Sequence, residues 1–262
     1  ETRYAIQLFG SKPATLAAAA KEALACGPAL VDLNCGCPVP KIVRSGAGSA
    51  LMRDPVLLAD IVRAMADALG PAGVPVTVKI RSGWDAESVN FREAARAAVE
   101  AGAAAVTLHA RTRAQGYSGT ADWGQIAALA RELPVPVFGS GDVSGPDACA
   151  RMVAETGAAG VMVARGAMGD PFFFRAALAA MEGRPERPAS PAERAAVARR
   201  HLELSARFLG ERTACVEFRK QFCSYTKGTP GGAALRSRGV HAASVAEFGA
   251  LLDEWIALSG ER

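Results

Sequence analysis

The sequence has no apolar run approaching the roughly 18 to 20 residues that a membrane helix needs, and no charged-then-apolar leader opens it. Histidine is scarce, three in 262 residues. No His-Glu pair or doubled cysteine pair has the spacing of a metal site, so no metal centre is expected and zinc chemistry is disfavoured. The first strand-like run is not followed by Gly-x-Gly-x-x-Gly, the phosphate-binding turn of a dinucleotide fold. A chain of this length buries about 70 to 75 per cent of its unfolded surface, so it needs no disulfides to hold a core. Reduced thiols, a cytoplasmic location and no membrane partner are the expectation. An initiating methionine is also missing: the chain starts at Glu1 and enters strand-like sequence almost at once. An N-terminal truncation is therefore expected.

What is present is a repeat of units. Short apolar, β-branched runs at 4–8, 29–33, 74–80, 104–109, 135–139 and 160–164 are each followed by an amphipathic helical stretch. Ser11 with Pro13, Asp54 with Pro55 and Ser144 with Pro146 read as helix starts, a polar cap followed by an early proline. Strands alternating with helices predict a parallel sheet. All six runs end in polar or glycine-containing sequence, a convergence that favours a (β/α)8 TIM barrel over a doubly wound sheet. Six units are two short of eight, so the barrel is expected to lack its first two strands in this chain. Residues 1–182 form the predicted barrel domain, 183–190 a Pro-rich linker, and 191–262 an all-α helical domain with helices near 191–209, 213–226 and 244–258. Ser244 and Glu247 have capping-box spacing. Between 194 and 238 stand ten Lys or Arg against three Glu, a local +7 on a chain whose formal charge is +4. Such a basic helical face suits a nucleic-acid partner, or is simply a solvated surface.

Several strand ends carry candidate chemistry. The glycine-bearing loops around Ser140-Gly141-Asp142 and Ala164-Arg165-Gly166 stand where barrels commonly bind phosphate, although tight turns alone would account for them. Lys79 closes a strand and points its ammonium toward the barrel mouth, suited to a ligand that becomes anionic, or else it pairs with a carboxylate such as Asp32. His109 ends the next strand as a hydrogen-bond donor or a satisfied core residue. The sharpest segment is Asn34-Cys35-Gly36-Cys37-Pro38, which opens a loop of about twenty residues containing Lys41. A thiol of pKa about 8.5 is mostly protonated at neutral pH and can act as a general acid, or as a nucleophile beside a base. Cys26, Cys149, Cys215 and Cys223 fall in helical stretches and read as core or near-core residues.

Taken together these residues resemble the tRNA-dihydrouridine synthase family, most closely its bacterial B-type members. The resemblance covers the whole chain. It rests on Gln7, the Asn34–Pro38 segment with Lys41 and Gly46–Leu51, Val78-Lys79-Ile80-Arg81, Leu108–Arg113 with Tyr117–Trp123, Gly141-Asp142-Val143, Val163–Ala167, and Arg219-Lys220 with Tyr225. It implies a flavoenzyme in which Cys37 is the proton donor to uridine carbon 5. Gln7, Asn34, Lys79, His109, Ser140, Gly141, Asp142, Ala164 and Arg165 would hold FMN, with NADPH or NADH as electron donor. It further implies tRNA as partner, bound by Lys41, Arg111, Arg113 and the basic helices with Arg199, Arg200, Arg219 and Lys220; a monomer is expected. The sequence departs from the family at Ser140, usually Asn, at Cys35, usually a bulkier residue, and at Gln221, commonly His. The family's first strand and its Pro-Met-Ala/Gly loop are not seen. A dihydroorotate or dihydropyrimidine dehydrogenase-like flavoenzyme and a catalytically silent RNA-binding fragment are the competing readings.

Overall fold

The structure is a computed structural model and describes residues 3–260. Six parallel strands form one sheet: β1 (Ala5–Leu8), β2 (Leu30–Cys35), β3 (Val76–Arg81), β4 (Ala105–His109), β5 (Val137–Ser140) and β6 (Gly160–Val161). They lie side by side in sequence order, each pairing in parallel with the next. A doubly wound fold reverses its strand order at a switch point. Sequential order without reversal is what consecutive units of a βα barrel produce, so the sheet is consistent with a partial TIM barrel.

The helices are α1 (Pro13–Ala23), α2 (Pro40–Arg44), α3 (Pro55–Leu69), α4 (Phe91–Glu100), α5 (Trp123–Glu132), α6 (Pro146–Thr156), α7 (Phe173–Met181), α8 (Pro191–Leu209), α9 (Glu211–Tyr225), α10 (Gly232–Gly239) and α11 (Val245–Gly260). Two compact units divide the chain: residues through Asp142 with Cys149–Val163, and Val143–Ala148 with the chain from Ala164 onward.

In the first unit, one face of the sheet is apolar. Val31, Leu33 and Cys35 of β2, Val76, Val78 and Ile80 of β3, and Val106 and Leu108 of β4 are all buried. Strand side chains alternate, and β-branched residues suit a pleated, covered surface, so these positions mark the side on which helices pack. Helix α3 turns Leu58, Ile61, Val62, Met65 and Leu69 inward, the spacing of one helical stripe. It packs between α1 and α4. Its start follows the expected chemistry: Asp54 accepts the N–H of Leu57 at 2.9 Å and Pro55 occupies the first turn. Ser11 does not cap α1. The cap position is Lys12, without a side-chain bond, because Ser11 Oγ donates to the carbonyl of Ser45 at 2.9 Å and ties two loops together.

In the second unit, α8–α11 enclose a core rich in aromatic rings, with Phe218 edge-on to Phe248 at 5.1 Å and Trp255 donating to Thr229 Oγ1 at 2.9 Å. Helix α8 opens with a capping box between Ser190 and Glu193 that the sequence reading did not single out. Ser244 caps α11 by accepting from Glu247 N, while Glu247 accepts from Ala243 N. Helix α10 was not expected, since glycine is a poor helix former. Gly239 is required there by packing: a Cβ would come within 2.4 Å of the Phe222 ring. Cys149 and Cys215 are buried, but Cys26 is exposed, at the end of a short 3-10 turn rather than in the core. Among the described residues no helix is long and apolar enough to cross a membrane, and no group of three or more His, Cys, Asp or Glu is placed to hold a metal.

Candidate active site on the polar face of the sheet

The opposite face of the same strands is polar. In register, Gln7 stands beside Asp32, Asp32 beside Thr77, Asn34 beside Lys79, Lys79 beside Thr107, and His109 beside Ser140. Because alternate residues share a face, these side chains project to one side. Buried Asp32 needs partners and finds them in half-buried Thr77 and exposed Gln7. Thr77 Oγ1 donates to Asp32 Oδ1 at 2.6 Å and Gln7 Nε2 to Asp32 Oδ2 at 2.7 Å. Asn34 Nδ2 donates to Gln7 Oε1 at 2.8 Å, and Asn34 Oδ1 accepts the backbone N–H groups of Gly36 at 3.1 Å and Cys37 at 2.9 Å. Asn34 thus shapes the turn that carries Cys37, and the relay behind it holds Asn34 in orientation.

Burial separates the two cysteines of that turn. Cys35 is fully buried on the apolar face, where desolvation and the nearby Asp32 charge push its thiol pKa well up. Cys37 is half-buried, and its carbonyl accepts from Ser49 N at 3.0 Å and Ser49 Oγ at 2.9 Å. The loop that follows therefore folds back onto the Cys37 backbone and leaves its side chain on the polar side.

Lys79 makes no ion pair with Asp32, whose two oxygens are taken by Thr77 and Gln7. Burial, then the nearby Arg81 charge, lowers the Lys79 pKa, while Asp32 and Cys37 act in the other direction. Burial likewise raises the pKa of Asp32 against the hydrogen bonds of Thr77 and Gln7. His109 is pushed down to about 3 by burial and by the cations of Arg81, Lys79 and Arg111. It is a neutral imidazole at physiological pH.

Two buried arginines fix the surrounding loops. Arg81, 2% exposed, donates to the carbonyls of Gly36 at 2.7 Å, Thr112 at 3.0 Å and Gly116 at 2.9 Å. It joins the Cys37 turn to the loop after β4. The sequence reading quoted Arg81 without assigning it a role; an arginine on a buried strand position was the available signal. Arg111 is also 2% exposed. It donates to Ser118 O and Gly119 O and pairs with Asp142 at 2.8 Å. That is a correction: Arg111 has no open face to offer an RNA backbone. Asp142 has a positive φ of 56° and accepts from Ala121 N at 2.7 Å as well as from Arg111. Desolvation, the largest single influence, pushes its pKa up, but these bonds with the Arg111 and His109 charges together outweigh it and hold the pKa down. Gly141, at φ +110°, lies against His109, and a Cβ there would meet the ring at 2.9 Å. Ser140 is buried at the end of β5.

The other expected cations divide by exposure. Lys41 is exposed on α2, Arg113 is half-buried, and Arg200 and Lys220 are exposed on α8 and α9. Arg199 is held by Asp253 at 2.7 Å, and Arg219 donates to Ala242 O at 3.0 Å. Both brace their own unit. Ala164 and Arg165 belong to the second unit, where Ala164 precedes the short 3-10 turn Arg165–Ala167.

A parallel sheet in sequence order, with polar groups gathered on one face, is consistent with a partial βα barrel. The chain belongs to the dihydrouridine synthase family: the model of that family, "Dihydrouridine synthase (Dus)", matches residues 1–259. It is similar to a probable tRNA-dihydrouridine synthase of Treponema pallidum, 47% identical over 259 residues that cover 96% of this chain and 76% of the relative. A probable tRNA-dihydrouridine synthase 1 of Synechocystis is 40% identical, with 98% and 71% covered. The tRNA-dihydrouridine synthase B of Pseudomonas aeruginosa is 36% identical over 89% of this chain and 70% of its own length.

Proposed function

We propose that this protein reduces the C5=C6 bond of uridines in tRNA, with FMN as cofactor, NADPH or NADH as electron source, and Cys37 as the proton donor. The observation that carries the reading is the half-buried Cys37 on a turn locked by Asn34, beside the cation of Lys79, in a chain of the dihydrouridine synthase family. Family membership favours a uridine within tRNA over a free pyrimidine.

The polar face fits a flavin by its donor set. Gln7 and Asn34 offer oriented amides, Lys79 a desolvated cation, His109 a neutral imidazole, and Ser140 with Gly141 a hydroxyl and a backbone without a side chain. The Asp142 carboxylate is committed to Arg111 and Ala121, so its part is to hold the loop. Ala164 and Arg165 are assigned on the family resemblance alone. When bound, FMN supplies hydride to uridine carbon 6.

The chain's own residues do the rest. Cys37 gives the proton of its thiol to carbon 5, where negative charge develops. Lys79 stabilises negative charge on the same face. His109, being neutral, offers a hydrogen bond without competing for protons above about pH 3. The target uridine must leave its stack to reach this face, and lost stacking has to be replaced by protein contacts. Lys41, Arg113, Arg200 and Lys220 provide cations for phosphates, while Arg199 and Arg219 stiffen the helices beside them.

The test is an assay of the flavin-loaded protein with NADPH and an unmodified tRNA transcript, read as dihydrouridine by mass spectrometry. Cys37→Ala is expected to lower turnover by about 10²- to 10⁴-fold, the usual contribution of a general acid, while NADPH still bleaches the flavin. Undiminished dihydrouridine in Cys37→Ala would remove the proton-donor role. No dihydrouridine from the unaltered protein would remove the reading itself.

A further inference from the structure

Beyond the end of β3 the chain carries Trp84, and two guanidiniums lie over its indole: Arg53 at 4.9 Å and Arg113 at 4.6 Å from the ring. All three belong to the first compact unit. They come from three segments of the sheet's carboxyl-end rim. Arg53 ends the loop that starts at Cys37, Trp84 follows β3, and Arg113 follows β4.

The platform is held by backbone. Past the strands, Ser82 N donates to Arg111 O at 3.1 Å, Arg113 N to Gly83 O at 2.9 Å and Ala114 N to Trp84 O at 2.9 Å. These bonds extend the β3–β4 pairing into the two loops and deliver Trp84 and Arg113 in fixed register. Neither arginine has an ion pair among the described residues. The neighbouring carboxylates are engaged elsewhere: Asp54 accepts from Leu57 N, and Asp85 accepts from Ser88 Oγ. Two like charges are therefore gathered against one aromatic ring, and neither has an ion pair among the described residues. Stacking fixes a guanidinium's plane while leaving its N–H groups free at the edge, which is the arrangement that recognises phosphate oxygens. A purely structural pair of arginines would be expected to close on acids or carbonyls, as Arg81 and Arg111 do in the same loops.

We propose that Arg53, Trp84 and Arg113 form a rigid phosphodiester clamp that grips the RNA backbone next to the uridine entering the Cys37 site. The clamp deepens the proposed function and rests on it for the identity of the RNA. Arg53 and Trp84 are positioning residues. They touch the strand that carries the substrate base, and they set where that base enters.

The experiment measures binding of an unmodified tRNA transcript to the flavin-loaded full chain across a salt series, with Arg53→Gln, Trp84→Leu and Arg63→Gln. Arg63, exposed on α3 and paired with Asp60, is the charge-matched control. Arg53→Gln is expected to weaken tRNA binding about 3- to 10-fold at moderate salt and to reduce the log–log salt slope by about 0.7 to 0.9, one phosphate contact. Trp84→Leu keeps both charges and should weaken binding less, with a smaller change of slope, because the guanidiniums lose their common plane. Steady-state KM for tRNA should rise with Kd in both, while KM for NADPH stays put. Equal tRNA affinity and slope in Arg53→Gln, Trp84→Leu and Arg63→Gln would overturn the clamp. So would a rise confined to the KM for NADPH, which would make the group a site for the dinucleotide's phosphate. A chain that makes dihydrouridine with unaltered slopes keeps the proposed function and loses the clamp. A chain that makes none but shows the slope change loses the function and keeps the clamp.

Discussion

The two faces of β2, β3 and β4 are built from alternate residues of the same strands, and they solve opposite problems. One face removes Val31, Leu33, Val78, Ile80 and Leu108 from water under the helices. The other gathers buried Asp32 and His109 with half-buried Asn34, Thr77 and Lys79, and Asp32 and Asn34 are bonded to their neighbours on that face. The apolar face is stabilised by area and tolerates approximate geometry, whereas the polar face depends on each donor meeting an acceptor. Cys35 and Cys37, two residues apart, show what the alternation does to one side-chain type. The first is a buried, inert thiol with its pKa pushed up, and the second is half-buried beside Lys79.

The widest separation of the two faces is expected from that cysteine pair. Against the 10²- to 10⁴-fold loss in Cys37→Ala, Cys35→Ala should leave turnover within about 2-fold and cost about 1 kcal/mol in denaturant unfolding, the consequence of a small cavity. If Cys35→Ala matched Cys37→Ala in turnover, the faces would not be functionally distinct. Next in size is Arg81→Met, which keeps bulk but leaves the carbonyls of Gly36, Thr112 and Gly116 without their donor. A loss of about 3 kcal/mol follows from stranding buried acceptors, together with a fall in flavin retention as the Cys37 turn loosens. Urea midpoints and bound-flavin absorbance measure both.

The last effect is a slope. His109 has a folded pKa of about 3, below its unfolded value near 6.5, so between these limits the unfolded chain binds the extra proton. Its contribution to stability is fully present above about pH 6.5 and is lost as pH falls toward 3, at up to about 1.4 kcal/mol per pH unit. His109→Gln should flatten stability against pH in that window, checked by urea unfolding at pH 4.5 and 7. An identical slope in the variant would mean that His109 is not held neutral.

Much of this architecture was legible in the chain itself. All six strands fall on the expected apolar, β-branched runs, although β6 keeps only Gly160–Val161 of the run 160–164. Gln7, Asn34, Cys37, Lys79 and His109 were legible as well: a polar residue at the end of an apolar strand has few places to be. What could not be read were partners distant in sequence. Arg111, Arg199 and Arg219 look alike on the page as free cations, yet each is engaged by a carbonyl or carboxylate 7 to 54 residues away, Arg199 in an exposed pair with Asp253. The cap at Ser11 failed on the same ground, its hydroxyl being claimed by Ser45. Helix α10 was hidden because its glycine serves the Phe222 ring rather than the helix.

The relay from Asp32 to Cys37 also has a direction. A carboxylate that only accepts stands at one end, and backbone N–H groups that only donate stand at the other. Between them the amides of Gln7 and Asn34 must both be turned the same way, since a flip of either would set donor against donor or acceptor against acceptor. The four positions are thus bound into one grammatical agreement. An Asn at position 32 would keep that sense only with its oxygen toward Gln7 Nε2 and its amide nitrogen donating to the Thr77 hydroxyl, while the opposite orientation would set donor against donor at Gln7.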